Sequence, residues 1–162
     1  MTVRERRSGS VSRLSVVSTA TPDTMATATL VIETSGQGFT EFTREAQRFV
    51  ADAGAKDGVL QVFLRHTSAS LLIQENADPA VQTDLAAALE RLAPADAGWV
   101  HDTEGPDDMP AHVKTMVTGI SLHIPVVGSA LALGTWQGLY LAEHRARPHR
   151  REIVLQFIGS RR

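Results

Sequence analysis

The sequence predicts an α+β fold, with helices on one side of a largely antiparallel or mixed sheet. Six stretches have the composition of strands and three have the periodicity of helices. They follow one another without the regular alternation of strand and helix that a parallel wound sheet requires. The chain has 162 residues, which fits one domain with a substantial core.

Two elements open the predicted order. Residues 27–34 are rich in β-branched side chains and end at a glycine-containing turn, which is typical of a strand. A helix is expected to follow, with Thr40 as its cap. Its apolar side chains recur at the spacing of one helix face and are Phe42, Ala46, Phe49 and Val50.

Residues 58–76 are β-rich throughout and are expected to form two strands. Alternation along the first strand places His66 on the same face as Leu60, Val62 and Leu64. The next helix has the clearest signals, because Asp78 can cap it and a proline follows at the first position. Its apolar stripe consists of Val81, Leu85, Ala88, Leu89 and Leu92.

Residues 94–109 show no periodicity, and connections of this length are usually functional or disordered. A short helix is expected from Pro110 to near Gly119, with His112 in its first turns. Three strands are then expected, with the sequences SLHIPVV, ALALGTWQGLYLAEH and REIVLQFIG. The glycines inside the middle strand indicate a bulge or the close approach of another chain or a ligand.

Composition excludes several classes of function. The sequence contains no cysteine, so any metal must be held by His, Asp or Glu. Its net charge of −2 does not indicate a nucleic-acid or membrane-surface protein, and no apolar run approaches the roughly 18 residues of a membrane span. Residues 1–26 are expected to be a disordered tail or an over-extended start, ahead of one domain at 27–162. Because no secretory signal is evident, a cytoplasmic location is expected.

Three of the six histidines differ from the others by their context. His66 closes an apolar strand, His101 precedes a carboxylate that could orient it, and His112 lies near the start of a helix. Three histidine ligands with one open position are the pattern of a catalytic zinc-type site, although this spacing is not diagnostic. The others are expected to point off the apolar face of a strand (His123) or to lie in a solvated turn (His144 and His149).

The turn that follows His66 has two interpretations. Its hydroxyl groups and backbone amides can hold phosphate oxygens. The same hydroxyls can instead satisfy the backbone of the turn, which the sequence alone favours. They belong to Thr67, Ser68 and Ser70.

Four further side chains also admit a functional and a structural interpretation. Glu75 could act as an acid or base, and Lys114 could pair with an anionic substrate or be a solvated helix residue. Trp136 and Gln137 offer an aromatic wall and an amide donor for a ring-bearing ligand, or a core residue and a sheet edge.

Three motifs in this order, HTSASLLIQENADP, HDTEGPDDMPAHVK and LGTWQGLYLAEHR, resemble the YjbQ-like family, also called secondary thiamine-phosphate synthase enzymes. The resemblance runs from about Leu30 to Gly159. It implies a compact α+β sandwich and a homotrimer. It also implies metal ligands at His66, His101 and His112, and catalytic roles for Glu75 and Lys114. The substrate-binding residues that it implies are Thr67, Ser68, Ser70, Asn76, Asp78, Thr135, Trp136 and Gln137.

The activity associated with the family is weak thiamine-phosphate synthesis, in which a pyrimidine methyl diphosphate is joined to a thiazole phosphate and diphosphate is expelled. The expected cofactor is a divalent metal, zinc or another transition metal rather than magnesium, because imidazole nitrogens suit transition metals. The expected partners are other copies of the chain and a small phosphorylated heterocycle, without nucleic acid or membrane.

Two alternatives remain open from the sequence. The first is a trimeric, metal-containing ligand-binding or housekeeping protein that does not turn over thiamine precursors. The second is a nucleic-acid contact through the arginines of residues 145–151, which the acidic remainder of the domain disfavours.

Overall fold

The computed structural model describes residues 14 and 17–162. Within them, the strands are β1 (Thr24–Thr34), β2 (Gly38–Glu41), β3 (Ala55–Leu64), β4 (Ala69–Glu75), β5 (Ser121–Val127), β6 (Ala130–Leu131), β7 (Gln137–Glu143) and β8 (His149–Arg161). The helices are α1 (Thr43–Asp52), α2 (Pro79–Leu92) and α3 (Asp108–Thr118). In this described part of the chain, no helix has the length and hydrophobicity needed to cross a membrane.

The strands form two sheets, and every pair of neighbouring strands is antiparallel. The larger sheet has the order β1-β8-β3-β5-β6, and the smaller sheet has the order β2-β7-β4. Helix α1 contacts β3, β6 and β8 of the larger sheet and β7 of the smaller one, whereas α2 contacts β2 and α3 contacts β4. The predicted α+β class is therefore confirmed.

The core lies between the two sheets and follows the predicted periodicities. Leu60, Val62 and Leu64 alternate along β3 and are fully buried, as a period of two requires. On α1, Ala46 and Val50 lie one helical turn apart and are also buried. Both apolar faces are where the sequence places them.

The first helix begins later than expected. Thr40 does not cap it, because residues 38–41 form β2 and pair with β7. The backbone N–H of Phe42 continues this pairing by donating to the carbonyl of Leu139 at 2.9 Å, so the chain stays extended up to that residue. Helix α1 then starts at Thr43, whose hydroxyl accepts a hydrogen bond from the Leu139 N–H.

The expected strand ALALGTWQGLYLAEH is divided into β6 and β7. A turn separates them, and in it the Gln137 N–H donates to the Gly134 carbonyl at 3.0 Å. Gly138 lies inside β7, where a Cβ atom would come within 3.0 Å of both the Glu41 carboxylate and the Tyr140 ring. The sequence indicated a bulge or the approach of another chain or a ligand, whereas the side chains that approach Gly138 belong to the same chain.

The domain also begins slightly earlier than predicted. Strand β1 starts at Thr24 rather than at residue 27, and Thr24 pairs with Gly159 of β8. Asp23 extends this contact by donating its N–H to the Gly159 carbonyl at 3.0 Å. The rest of the predicted tail falls largely on residues 1–13, 15 and 16, which lie outside the described residues.

Candidate metal centre

Two imidazoles and one carboxylate converge at the beginning of α3. Nε2 of His101 lies 2.8 Å from Oδ2 of Asp108, and Nε2 of His112 lies 3.4 Å from the same oxygen. The three potential ligand atoms all lie within 4.8 Å of one another. One divalent ion can contact three ligand atoms that lie this close together.

Local structure explains this convergence. Asp108 and His112 are four residues apart on α3, so their side chains share one face of the helix. His101 reaches them from the irregular connection between α2 and α3. The Asp108 side chain is only 2% exposed, whereas that of His101 is 46% exposed. The group therefore has a buried anionic side and an open side from which a small molecule can approach.

The hydrogen bonding of His112 fixes which of its nitrogens is free. Its Nδ1 lies 3.0 Å from the carbonyl oxygen of Thr67, which can only accept, so Nδ1 carries the hydrogen and donates. In the neutral ring, Nε2 then presents a lone pair toward Oδ2 of Asp108. Two acceptors facing each other need a cation between them, either a proton or a metal ion. The residues therefore fit a divalent transition metal.

Arg145 holds the acidic side of the group in place. Its guanidinium pairs with Oδ1 of Asp108, and its Nε lies 3.1 Å from Oδ2 of Asp107. Burial by itself would raise the pKa of Asp107. The hydrogen bonds from the Ala146 N–H and from Arg145 outweigh burial, and the pKa of this carboxyl lies below its usual value. Asp107 is therefore ionised. By accepting hydrogen bonds from Arg145 and from the Ala146 N–H, it links the segment between α2 and α3 to the turn after β7.

His66 lies outside this group, although the resemblance implies it as a ligand. Its Nε2 accepts the backbone N–H of Glu152 at 2.8 Å, which ties it to the larger sheet. Burial, followed by the nearby charge of Arg151, lowers the pKa of His66. Among the described residues, the converging group thus contains Asp108 instead of His66. The spacing of Asp108 and His112 by one helical turn is the signal that could have identified this carboxylate from the sequence.

Comparison with known proteins places this chain in a family. A family model described as "UPF0047 protein YjbQ-like" matches residues 28–160. The chain belongs to the YjbQ-like family. This YjbQ-like protein is similar to a UPF0047 protein of Synechocystis sp., with 52% identity over 132 residues that cover 81% of this chain and 90% of that protein. It is also similar to the UPF0047 protein YjbQ of Escherichia coli O157:H7, with 39% identity over 82% of this chain and 96% of that protein.

Solved structures confirm the YjbQ-like fold. An uncharacterised conserved protein of the YjbQ/UPF0047 family from Clostridium acetobutylicum has 33% identity and a TM-score of 0.75, covering 80% of this chain and 98% of that chain. A hypothetical protein from Aeropyrum pernix K1 has 26% identity and a TM-score of 0.77, covering 83% of this chain and 99% of that chain.

A second polar cluster of this YjbQ-like chain contains Lys114. Its side chain is buried and pairs with Glu90 of α2, so it is not a solvated helix residue. It lines a small cavity of about 60 Å³ together with Glu143 and His144. Ser70 lies beside this cluster, with its buried hydroxyl 2.8 Å from Nε2 of His144. The positive charge of Lys114 is thus already paired with a carboxylate of the same chain.

The expectation that His144 and His149 lie in a solvated turn is wrong for His144. That residue directly follows β7 and is 3% exposed, because the ring turns inward against Ser70. The neighbouring arginines give this segment the composition of a solvated turn. Two of them, Arg145 and Arg151, nevertheless face inward. His149 does not lie in a solvated turn either: it is the first residue of β8, pairs with Thr34 and is half-buried. His123 is exposed on β5, as predicted.

The unfolding free energy of this protein is expected to fall as the pH drops from about 6.5 to about 4. Burial, and next the charge of Lys114, lowers the pKa of His144 to about 4 in the folded protein, whereas an unfolded chain has the ordinary value of 6.5. Between these values the unfolded chain binds a proton that the folded protein does not bind. The loss from this group amounts to about 3 kcal/mol at the acidic end.

Urea unfolding across this pH range, on the wild-type protein and on His144→Gln, measures the effect. The variant should show a shallower dependence of unfolding free energy on pH, because glutamine does not titrate. Identical slopes for the two proteins would contradict the buried neutral state of His144.

Two arginines of the basic stretch are engaged in buried or partly buried ion pairs. Arg151 is buried and donates to both carboxylate oxygens of Glu143, at 2.7 and 2.6 Å. Burial would raise the pKa of Glu143, but the hydrogen bonds from Arg151 and from the Arg145 N–H lower it below its usual value. Arg151 also donates to the Ser68 hydroxyl at 3.2 Å. With Arg145 and Arg151 paired in this way, the stretch offers less free positive charge for nucleic acid than its sequence suggested.

The remaining predicted site residues lie at the other end of the smaller sheet. At one end of this sheet Ala69 pairs with Glu143, and at the other Glu75 pairs with Gln137. The seven residues of β4 span six steps, which separate these ends by roughly 20 Å. The far group consists of Glu75, Asn76, Asp78, Thr135, Trp136 and Gln137.

Contacts within this far group are mostly structural. Asp78 caps α2 as predicted, by accepting the Ala80 N–H at 2.8 Å. The Gln137 side chain accepts the Gly134 N–H at 2.8 Å, and the Asn76 N–H donates to the Trp136 carbonyl. The Trp136 side chain is exposed. Within one chain, the structure does not bring these residues to the candidate metal centre, whereas the Thr67 carbonyl contacts it through His112.

Proposed function

We propose that this protein is a metal-dependent enzyme acting on a small phosphorylated substrate, with its divalent ion held by His101, Asp108 and His112. The observation that supports this most strongly is the convergence of the three ligand atoms within 4.8 Å. Two imidazoles and one carboxylate suit zinc or another transition metal better than magnesium, which prefers an all-oxygen shell.

The reaction that we propose is the one that the family resemblance implies. A carbon–nitrogen bond forms between the pyrimidine methylene carbon and the thiazole nitrogen, and the carbon–oxygen bond to diphosphate breaks with its electron pair leaving on the diphosphate. When bound, the metal supplies Lewis-acid stabilisation of that leaving charge. The buried Asp108 anchors one side of the centre, and the half-exposed His101 leaves the other side open to the substrate.

We further propose that the protein acts in the cytoplasm as a homotrimer. Two observations support an assembly of several copies. The apolar stripe of α2 has no fully buried residue within one chain, and Leu92 is 55% exposed. The far group around Glu75 and Trp136 is also separated from the metal centre by the length of the smaller sheet. A neighbouring copy could cover that stripe and bring its own far group to the centre.

Elemental analysis and a coupling assay together test the proposed function. The purified protein, loaded with zinc and dialysed, should retain stoichiometric metal. It should then release diphosphate from the two thiamine precursors, and chelation should abolish this release. Absence of retained metal would refute the proposed centre. Retained metal without turnover of any phosphorylated heterocycle would instead support a trimeric, metal-containing ligand-binding protein.

A further inference from the structure

We propose that Arg145 is a positioning residue of the metal centre, which orients Asp108 so that one carboxylate oxygen faces both imidazoles. This inference rests on the proposed function, because it concerns how the same centre is held. It assigns a role to the basic stretch after β7 that the sequence alone could not explain.

Arg145 contacts three residues around the start of α3, two in the preceding connection and one in the first turn of the helix. Its guanidinium pairs with Oδ1 of Asp108 and, through Nε, with Oδ2 of Asp107 at 3.1 Å. Its Nη2 donates to the carbonyl of Glu104 at 2.8 Å. Its side chain is 11% exposed, so these contacts are largely shielded from water. The planar guanidinium, with five N–H donors in a fixed arrangement, suits such a set of acceptors.

The two oxygens of Asp108 thereby have different roles. Oδ1 is occupied by Arg145, and Oδ2 alone faces His101 and His112. A carboxylate that is 2% exposed needs a compensating charge, and Arg145 supplies it without using the oxygen that faces the imidazoles. Groups that hydrogen-bond a ligating carboxylate typically fix its orientation and tune metal affinity.

The position of His101 depends on this arrangement. His101 lies in the irregular connection between α2 and α3, and its ring contacts Asp108 at 2.8 Å. The same connection is attached to the turn after β7 through Arg145 and through the Ala146 N–H, which donates to Asp107 at 2.8 Å. Loss of the guanidinium would leave Oδ1 of Asp108 without its partner and would remove one of the two attachments of the segment that carries His101.

Titration of the full-length protein with Co²⁺, followed by its visible absorption, tests the role of Arg145. Arg145→Ala should weaken Co²⁺ binding by about 10- to 100-fold and alter the ligand-field spectrum. Arg145→Lys should recover part of the affinity, because an ammonium restores the charge but not the three contacts. A low, non-denaturing concentration of guanidinium should also partly restore binding to Arg145→Ala. Arg147→Ala is the matched control, because Arg147 is exposed in the same turn, and it should bind Co²⁺ like the wild-type protein.

A purely structural role would give a different result. Arg145→Ala would then lower the melting temperature while its folded fraction kept wild-type Co²⁺ affinity and spectrum, and this would overturn the proposal. If Arg145→Ala does not fold, Arg145→Lys replaces it, and wild-type affinity and spectrum in that variant would overturn the proposal equally. If the wild-type protein itself binds no Co²⁺, the proposed metal centre fails, and the role of Arg145 fails with it.

Discussion

Replacing His112 with Ala is expected to remove stoichiometric metal from the purified protein. His112 supplies one of the three converging ligand atoms, and the Thr67 carbonyl orients its Nε2 toward the candidate centre. Loss of a ligand should exceed the 10- to 100-fold effect typical of groups that only orient ligands, so the affinity should fall by more than about 100-fold. Elemental analysis after zinc loading and dialysis measures the result.

Two other histidines provide sharp comparisons. His66→Ala should retain metal, because His66 is engaged with the Glu152 backbone and lies outside the group. His123→Ala should also retain metal, because His123 lies on the exposed face of β5. This variant shows whether the loss of any one histidine is enough to reduce the metal content. A ligand set of His66, His101 and His112, as the family resemblance implies, predicts instead that His66→Ala loses metal as completely as His112→Ala does. Metal retained by His112→Ala would refute the centre described here.

Replacing Glu143 with Ala is expected to lower the free energy of unfolding by about 3–5 kcal/mol. The side chains of Glu143 and Arg151 are only 2% and 4% exposed, and their pairing joins β7 of one sheet to β8 of the other. Removing the carboxylate leaves a guanidinium buried without its partner, and the desolvation of that charge is no longer compensated. Because a domain is typically stabilised by only about 5–15 kcal/mol, this loss should be evident in urea denaturation.

The neighbouring arginine on the same strand supplies the control. Glu152 pairs with Arg150 and with Arg65, but these side chains are partly or largely exposed to water, so Glu152→Ala should cost far less than Glu143→Ala. The double variant Glu143→Leu with Arg151→Met should recover much of the stability lost by Glu143→Ala, because no unpaired charge is then left. Equal losses for Glu143→Ala and Glu152→Ala, at one protein concentration, would contradict the importance of burial.

Periodicity was sufficient to predict most of the fold. The alternation of Leu60, Val62 and Leu64 predicts a buried strand face. The one-turn spacing of Ala46 and Val50 predicts a buried face of α1, and both faces are buried. The cap at Asp78 was also predictable, since it depends only on residues next to it. The apolar stripe of α2 was predicted as well, but one chain does not bury it. The apolar faces and the Asp78 cap follow from signals within a few residues, whereas the equally local cap signal at Thr40 is overridden by the pairing of β2 with β7.

The candidate centre depends on contacts that such signals do not contain. Spacing alone places Asp108 and His112 on one face of α3, but only the tertiary structure shows that Arg145, 37 residues away, holds the other oxygen of Asp108. His144 looked solvated because its neighbours are arginines, and only the tertiary structure shows Arg151 turned inward to Glu143. Charge composition gives the number of ionic groups along a segment, but not which of them meet inside the fold.

The candidate ligands and Arg145 belong to segments fastened to the three-stranded sheet. Helix α3 is held to β4 by the Thr115 hydroxyl, which donates to the Ala69 carbonyl, and Arg145 follows β7. The five-stranded sheet contributes none of these side chains. Substitutions on the outer surface of that larger sheet should therefore change what the surface binds without altering the candidate ligands.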